Sequence, residues 1–361
     1  MTIVKARHLG AAVALLLAGP ALADPITFTD QENRTVTLDE PASRIASIPI
    51  PMASTLIAID GGTDRLVGMN PSAKQAIMDG ILGKIFPEAK DIPSDITAPN
   101  FIPNVEELAA TNPDLVIQWA DRGPDYVDPI TNAGMTAMLI SYGTEEKARA
   151  YMTMTAEAMG KPERIAPLID WREEVASDIK SKTEGLGDSD RPKVLYLLRA
   201  MDGIKASGTE GNYNAWYIDL AGGQNAAADL VGNGVTINPE QIASWNPDVI
   251  LLNNFESDIS PERIYSDPIL SLTNAAQNHK VYRMPLGGYR WDPPNQESPL
   301  TWMWLADILH PELFDFDLRS EMKTAYKTIY DYDLSDEDID QILWMDLNAG
   351  AANYDQFKSR S

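Results

Sequence analysis

The stretch VEELAATNPDLVI at residues 105–117 returns as PEQIASWNPDVIL at residues 239–251, an offset of 134 residues. Each copy reads as a helix, a tight Asn-Pro-Asp turn and a strand. Asparagine ends the helix and proline prevents its continuation. That local reading leaves Asp114 and Asp248 no catalytic role, so the inference rests on duplication of the whole unit. The surroundings repeat as well: Ile59-Asp60-Gly61-Gly62 precedes the first copy as Leu220-Ala221-Gly222-Gly223 precedes the second. A further strand follows each copy, at Ala137 to Ser141 and at Lys280 to Met284. Alternating strands and helices predict a parallel sheet in each half. The fold class is therefore α/β, with two similar Rossmann-like lobes.

Between the halves, Pro162 to Leu186 predicts one long interdomain α-helix. Ile165, Leu168, Ile169, Val175 and Ile179 recur at three- and four-residue spacings as a packing stripe, with Arg172, Glu173, Asp178 and Lys180 expected to face water. Gly160 closes the preceding helix, Pro162 suits a first turn, and Gly185 and Gly187 stop the run. Pro167 is expected to kink the helix or to mark its true start. The predicted boundaries are an N-terminal lobe at 24–160, the interlobe helix at 161–186, a C-terminal lobe at 187–310 and a helical extension at 311–361.

Residues 1–23 read as a cleavable export signal. Lys5 and Arg7 precede an apolar core too short to span a bilayer, and Ala21-Leu22-Ala23 is a small-x-small cleavage site. A mature chain beginning near Asp24 is expected in the periplasm. Absence of cysteine removes disulfides, zinc thiolate sites and a lipidated anchor. Without the leader the chain carries 27 basic and 53 acidic residues, a formal charge of −26, so nucleic acid is not a partner.

Elsewhere, Ile26–Thr29 and Thr35–Leu38 predict a hairpin, Arg44–Ile48 and Leu66–Met69 strands, and Met52–Ile59 a helix. Residues 72–86 read as helical and 87–103 as a proline-rich loop. Trp302 and Trp304 lie on a core helix at Pro299 to Leu309. Ser335 caps a last helix opening with Asp336, Glu337 and Asp338, and the tail beyond Asn348 is expected to fray.

Ligands of parallel sheets collect at the carboxyl ends of the strands. The loops there are Ser47 to Met52; Trp119, Asp121, Arg122 and Tyr126; Ser141 and Tyr142; Arg199, Met201 and Tyr213; Asn253 to Glu256; and Tyr289, Arg290 and Trp291. The candidate ligand-binding residues are Trp119, Arg122, Tyr126, Arg199, Tyr213, Tyr289, Arg290 and Trp291. Arginine offers a fixed fork of donors to anionic oxygens, and aromatic rings cover flat apolar surface. Any one of these arginines alone is more often a surface ion-pair partner, so the argument rests on the cluster. It suits a bulky, partly anionic chelate. Beyond the leader only His279 and His310 remain, which disfavours a bare transition-metal site. No nucleophile elbow, phosphate loop or His-Glu-x-x-His occurs. A carboxylate-dependent hydrolase is the alternative of a different class, and no intrinsic cofactor is expected.

The chain resembles the periplasmic substrate-binding proteins of ABC importers for iron(III)-siderophores, haem, cobalamin and molybdate. The resemblance is carried by residues 44–69, the doubled Asn-Pro-Asp units, residues 216–223 (WYIDLAGG), residues 289–294 (YRWDPP) and residues 330–337 (YDYDLSDE). It implies a ligand cleft between the lobes, little hinge closure and no enzymatic activity. The expected function is capture of an iron(III) chelate by a monomer and its delivery to an inner-membrane permease, with molybdate or tungstate, haem or cobalamin as alternatives. The resemblance also implies an acidic docking residue on each lobe. Asp219 fits the second position; Thr55 stands at the first, leaving Asp60 as its substitute.

Overall fold

The computed structural model describes residues 25–201 and 203–359; the predicted export signal lies outside them. The chain opens with a hairpin of β1 (Ile26–Thr29) and β2 (Thr35–Leu38). The N-terminal lobe then runs β3 (Ile45–Ser47), α1 (Met52–Asp60), β4 (Leu66–Met69), α2 (Pro71–Asp79), α3 (Leu82–Ile85), α4 (Val105–Ala110), β5 (Leu115–Trp119), α5 (Asp128–Asn132), β6 (Ala137–Ile140) and α6 (Glu145–Ala158). Its sheet has the order β4-β3-β5-β6 and is parallel throughout. Every residue of β5 and β6 is buried, as a sheet covered on both faces requires. The helix expected over residues 72–86 is broken at Gly80. That residue is extended, and a Cβ on it would lie 2.3 Å from the Gly287 carbonyl oxygen.

The connecting helix α7 spans Pro162–Thr183, three residues short of the predicted end, and runs through Pro167 without interruption. It packs on α6 of the first lobe. One expectation fails here: Arg172 does not face water but is 1% exposed, because Glu145 at the start of α6 receives its guanidinium.

The C-terminal lobe contains β7 (Lys193–Arg199), β8 (Ile204–Ala206), α8 (Tyr213–Leu220), β9 (Gln224–Asn225), β10 (Val235–Ile237), α9 (Pro239–Trp245), β11 (Val249–Leu252), α10 (Glu262–Tyr265), α11 (Asn274–Gln277) and β12 (Val281–Arg283). The order is β10-β8-β7-β11-β12, with β9 beside β7. Strands β7, β9, β11 and β12 pair in parallel, whereas β8 and β10 are antiparallel additions. The expectation of a wholly parallel second sheet is corrected accordingly. After β7 the chain folds straight back, which an antiparallel pair permits and a parallel one does not. Gly203 at φ +85° takes the left-handed conformation there.

The duplicated unit is duplicated in structure too. Asn112 and Asn246 both adopt left-handed backbone, at φ 48° and 45°. The Asp114 N–H donates to the Arg44 carbonyl at 2.9 Å while the Arg44 N–H donates back to Asp114 Oδ2 at 3.0 Å. Asp248 and Lys193 repeat the exchange at 2.8 and 3.0 Å. Each aspartate thus pins its strand to the start of the neighbouring one.

Beyond the second lobe come α12 (Ser298–Leu309), α13 (Leu318–Tyr330) and α14 (Asp336–Ile342). Helix α12 packs on both α7 and α8, with Trp302 and Trp304 fully buried. Ser335 and Asp338 form a reciprocal capping box. The tail does not fray. Tyr354 donates to the Leu343 carbonyl at 2.6 Å and stacks on Tyr282 with ring centroids 5.9 Å apart, and Phe357 is 2% exposed.

Candidate functional site

A cavity of about 860 Å³ opens between the lobes, and its walls come from the carboxyl ends of strands on both sides. The first lobe contributes Asn70 to Ser72 after β4, Trp119 at the end of β5 with Arg122 beyond it, and Tyr142 after β6. The second contributes Arg199 at the end of β7, Phe255 after β11, and the glycine-bearing loops at residues 210–212 and 232–234.

Aromatic packing orders the first wall. Trp119 meets Phe101 and Tyr142 edge-on at 6.1 and 6.5 Å, an arrangement that satisfies the ring quadrupoles. Its buried indole N–H has no acceptor among the described residues. The Arg122 guanidinium lies 4.5 Å from the Phe101 ring centre, so its apolar face is covered while its donors stay exposed. On the opposite wall Phe255 lies under two guanidinium groups, that of Arg290 at 4.5 Å and that of Arg199 at 5.2 Å. Arg199 also donates to the Phe255 carbonyl at 3.0 Å. Lys205 on β8 adds a third positive group to the cavity lining, and Asp121 and Glu210 supply exposed carboxylates beside them.

The predicted residues separate into two sets. Trp119, Arg122 and Arg199 line the cavity; Tyr126, Tyr213, Tyr289, Arg290 and Trp291 do not. Tyr126 is half-buried and holds Gln118 through its carbonyl at 3.2 Å. Tyr213 is fully buried and donates to Glu145 at 3.0 Å. Trp291, also fully buried, donates to Glu297 at 3.1 Å. Arg290 spans the lobes behind the cavity, donating to the Ser72 carbonyl at 3.0 Å and the Asn254 carbonyl at 3.3 Å. Fully buried Tyr289 packs under it, the guanidinium 5.6 Å from the phenol ring.

Asp292 lines the cavity and was not among the candidates, although it follows Trp291 directly on the connection between β12 and α12; the search there was for arginines and aromatic rings, and the partners that hold this carboxylate come from distant elements. Only 4% exposed, it accepts from Tyr217 at 2.9 Å, Tyr196 at 2.8 Å and Asn253 at 3.3 Å. Burial pushes its carboxyl up to about 6, against the pull of the two phenols. Phe101 and Lys205 were missed as well; the first lies in the proline-rich loop and the second on an unforeseen strand.

The docking candidates differ in availability. The Asp219 side chain is 83% exposed, with Arg191 at 3.2 Å. That of Asp60 is only 10% exposed and is held by Lys161 at 2.6 Å and Arg65 at 3.3 Å. Thr55 is buried and donates to Gln296 at 3.0 Å. Among the described residues no helix is long and apolar enough to cross a membrane.

Solved structures share this architecture. A periplasmic solute binding protein from Veillonella parvula superposes with a TM-score of 0.80 at 33% identity, covering 90% of this chain and 99% of that one. The molybdate-bound MolA of Haemophilus influenzae superposes with a TM-score of 0.76, covering 86% of this chain and 99% of its own. In sequence the molybdate-binding protein MolA is 26% identical over 335 residues, 87% of this chain and 93% of its own length. A cobalamin-binding protein of Halobacterium salinarum is 25% identical over 65% of this chain and 60% of its own. Residues 102–286 match the periplasmic binding protein family, and the chain belongs to that family, the solute receptors of ABC transporters.

Proposed function

We propose that this receptor captures a bulky, partly anionic iron(III) chelate of the siderophore kind and delivers it to an inner-membrane ABC permease, acting as a monomer exported by the leader at residues 1–23. The observation that carries the reading is the cavity of about 860 Å³ with Arg122 and Arg199 on opposite lobes above aromatic walls. That volume falls in the range of sites for drug-sized ligands, about 300–1,000 Å³, whereas a bare tetrahedral oxyanion would leave most of it to solvent. Guanidinium forks bind carboxylate, catecholate or hydroxamate oxygens, and the rings of Phe101, Trp119 and Phe255 suit the ligand's flat faces.

A second reading, molybdate or tungstate, is favoured by the likeness to MolA over 87% of the chain. Haem and cobalamin are further alternatives within the family. The hydrolase alternative has no counterpart among these relatives, which are solute-binding proteins.

Trp119 in the cavity wall makes intrinsic fluorescence a reporter of occupancy. Purified protein is titrated with ferric siderophores, haem, cobalamin and molybdate. Saturation by a ferric chelate is expected. No saturable response to any ferric complex would sink the iron reading, and saturation by molybdate alone would install the second.

A further inference from the structure

Two buried carboxylates on the connection between the lobes' last strand and α12 are built differently. Glu297 accepts from Gly288 N–H, the Trp291 indole, Tyr326 and Tyr330, with donors on both oxygens. It lies away from the cavity and needs nothing more. Asp292 lines the cavity, yet among the described residues its Oδ1 accepts only from Tyr217 while Tyr196 and Asn253 share Oδ2. An ionised carboxylate offers about four lone-pair positions, so Oδ1 has acceptor capacity left. No Lys, Arg or His among the described residues forms an ion pair with Asp292, although Glu145, buried elsewhere, has Arg172. A buried carboxylate without a cation is costly unless something completes it.

We propose that Asp292 makes the inner end of the cleft an acceptor that selects ligands carrying a hydrogen-bond donor or a positive charge on their buried side, and turns away ligands presenting only anionic oxygens there. The inference rests on the cleft being the ligand site. Together with Arg122, Arg199 and Lys205 it defines an amphoteric ligand: anionic groups toward the basic side chains, a hydroxyl, amide or ammonium toward Asp292.

The ionisation of Asp292 follows from the same surroundings. The groups electrostatically coupled to Asp292 are phenols: Tyr142 after β6, Tyr196 on β7, Tyr217 on α8 and Tyr289, the last beside Arg290. Burial holds all four hydroxyls above their usual range, so they stay neutral at ordinary pH. Asp292, pushed to about 6, changes charge in that window. Protonation supplies the missing donor and removes the repulsion of anions.

The test uses three probes: molybdate, the iron(III) complex of a linear trihydroxamate ending in a free ammonium, and that complex with its amine acetylated. Wild type and Asp292→Asn are titrated at about pH 7.5 and about pH 5. The variant is expected to bind molybdate about tenfold or more tightly at the higher pH, a change of about 1.4 kcal/mol. It should also lose the wild-type gain in molybdate affinity on acidification, and the preference for the free ammonium. Tighter molybdate binding by the variant at the higher pH, or its loss of the preference for the free ammonium, supports the proposal; weaker molybdate binding with that preference kept overturns it. Identical behaviour of both proteins with every probe at both pH values, joint absence of binding included, overturns it. Should the variant melt abnormally by circular dichroism, the wild-type molybdate comparison decides alone, and equal affinities at the two pH values overturn the proposal. Failure of the ferric reading looks different: neither ferric complex binds either protein while molybdate still distinguishes them.

Discussion

Arg172 on the connecting helix and Glu145 at the start of α6 form a buried two-pronged ion pair, Nε to Oε1 at 2.7 Å and Nη2 to Oε2 at 2.5 Å. Tyr213 of the second lobe donates to the same carboxylate at 3.0 Å. Arg172 also donates to the Asn295 carbonyl and lies 5.0 Å from the centre of the Trp302 ring. Burial works against the guanidinium charge, but Glu145 and its neighbours more than restore it, so its pKa is raised. First lobe, connector and second lobe therefore meet in one charged node.

Removing one partner of a buried pair strands the other's charge, which typically costs about 3–5 kcal/mol. Arg172→Ala is expected to destabilise the protein by that order, while Arg172→Met with Glu145→Leu costs less than the single variant. Urea unfolding midpoints at constant slope measure both. A single-variant loss below about 1 kcal/mol, the size of an exposed pair, would refute the node.

Arg122 and Arg199 reach the cavity from opposite lobes, and one face of each guanidinium already lies over a phenylalanine ring. Hydrogen bonds to charged groups contribute about 1.5–3 kcal/mol, so each alanine variant should weaken binding of the ligand found by titration about 10- to 100-fold. Arg149→Ala, whose partners Glu173 on α7 and Glu145 on α6 lie outside the cavity, should bind as wild type does. Equal affinities for all three variants would remove the arginines from the site.

Asp307 on α12 is 1% exposed and accepts from the Phe316 N–H at 3.2 Å. Burial pushes its carboxyl up to about 7, with nearby Asp315 adding to the shift and Lys182 opposing it. Because the folded value exceeds the unfolded one of about 3.9, the proton is held more tightly in the native state. The resulting stability is fully present below about pH 4 and is lost as pH rises to about 7. Asp292 acts in the same direction, up to about 6. Asp307→Asn should flatten the fall in urea midpoint across that window. An unchanged slope in the variant would exclude Asp307 as its source.

Local signals in the chain were legible because they act locally. The Asn-Pro-Asp turns needed only a left-handed asparagine and a proline, and the fold uses them alike at Asn112 and Asn246. Trp119, Arg122 and Arg199 could be found because each immediately ends or follows a strand whose carboxyl end faces the cleft. Arg172 misled because helical periodicity reports which residues share a face, not what covers that face; α6 covers it, and Glu145 is 27 positions away. Asp292 was hidden for a related reason. Its partners Tyr196, Tyr217 and Asn253 lie 39 to 96 positions upstream. The tail's burial likewise depends on Tyr282, a distant strand residue.

Asp219 stands at the end of α8 with an 83% exposed side chain, open to an arginine on a partner. Asp219→Lys is expected to reduce transport in cells while leaving ligand affinity intact, since the side chain does not line the cavity. An unchanged uptake rate would refute the docking role. Asp60→Lys should instead lower stability, because the new charge would face Lys161 and Arg65.

The lobes are fastened by more than the connecting helix. Lys84 of the first lobe pairs with Asp338 of α14 at 2.6 Å, and the Ile81 N–H donates to the Gly287 carbonyl at 3.1 Å. Tyr151 on α6 reaches the Pro294 carbonyl at 2.7 Å. Arg164 on α7 donates to the carbonyls of Ala58 and Ile329, each at 3.0 Å. A wide hinge motion would have to break several of these contacts together, and α7 passes through Pro167 without a break. Ligand capture should therefore leave the lobes almost where they are, with rearrangement confined to the loops around the cleft. Small-angle scattering with and without saturating ligand should give nearly coincident profiles. A marked compaction would contradict this, and loss of that compaction in Pro167→Ala would then locate the hinge in the helix.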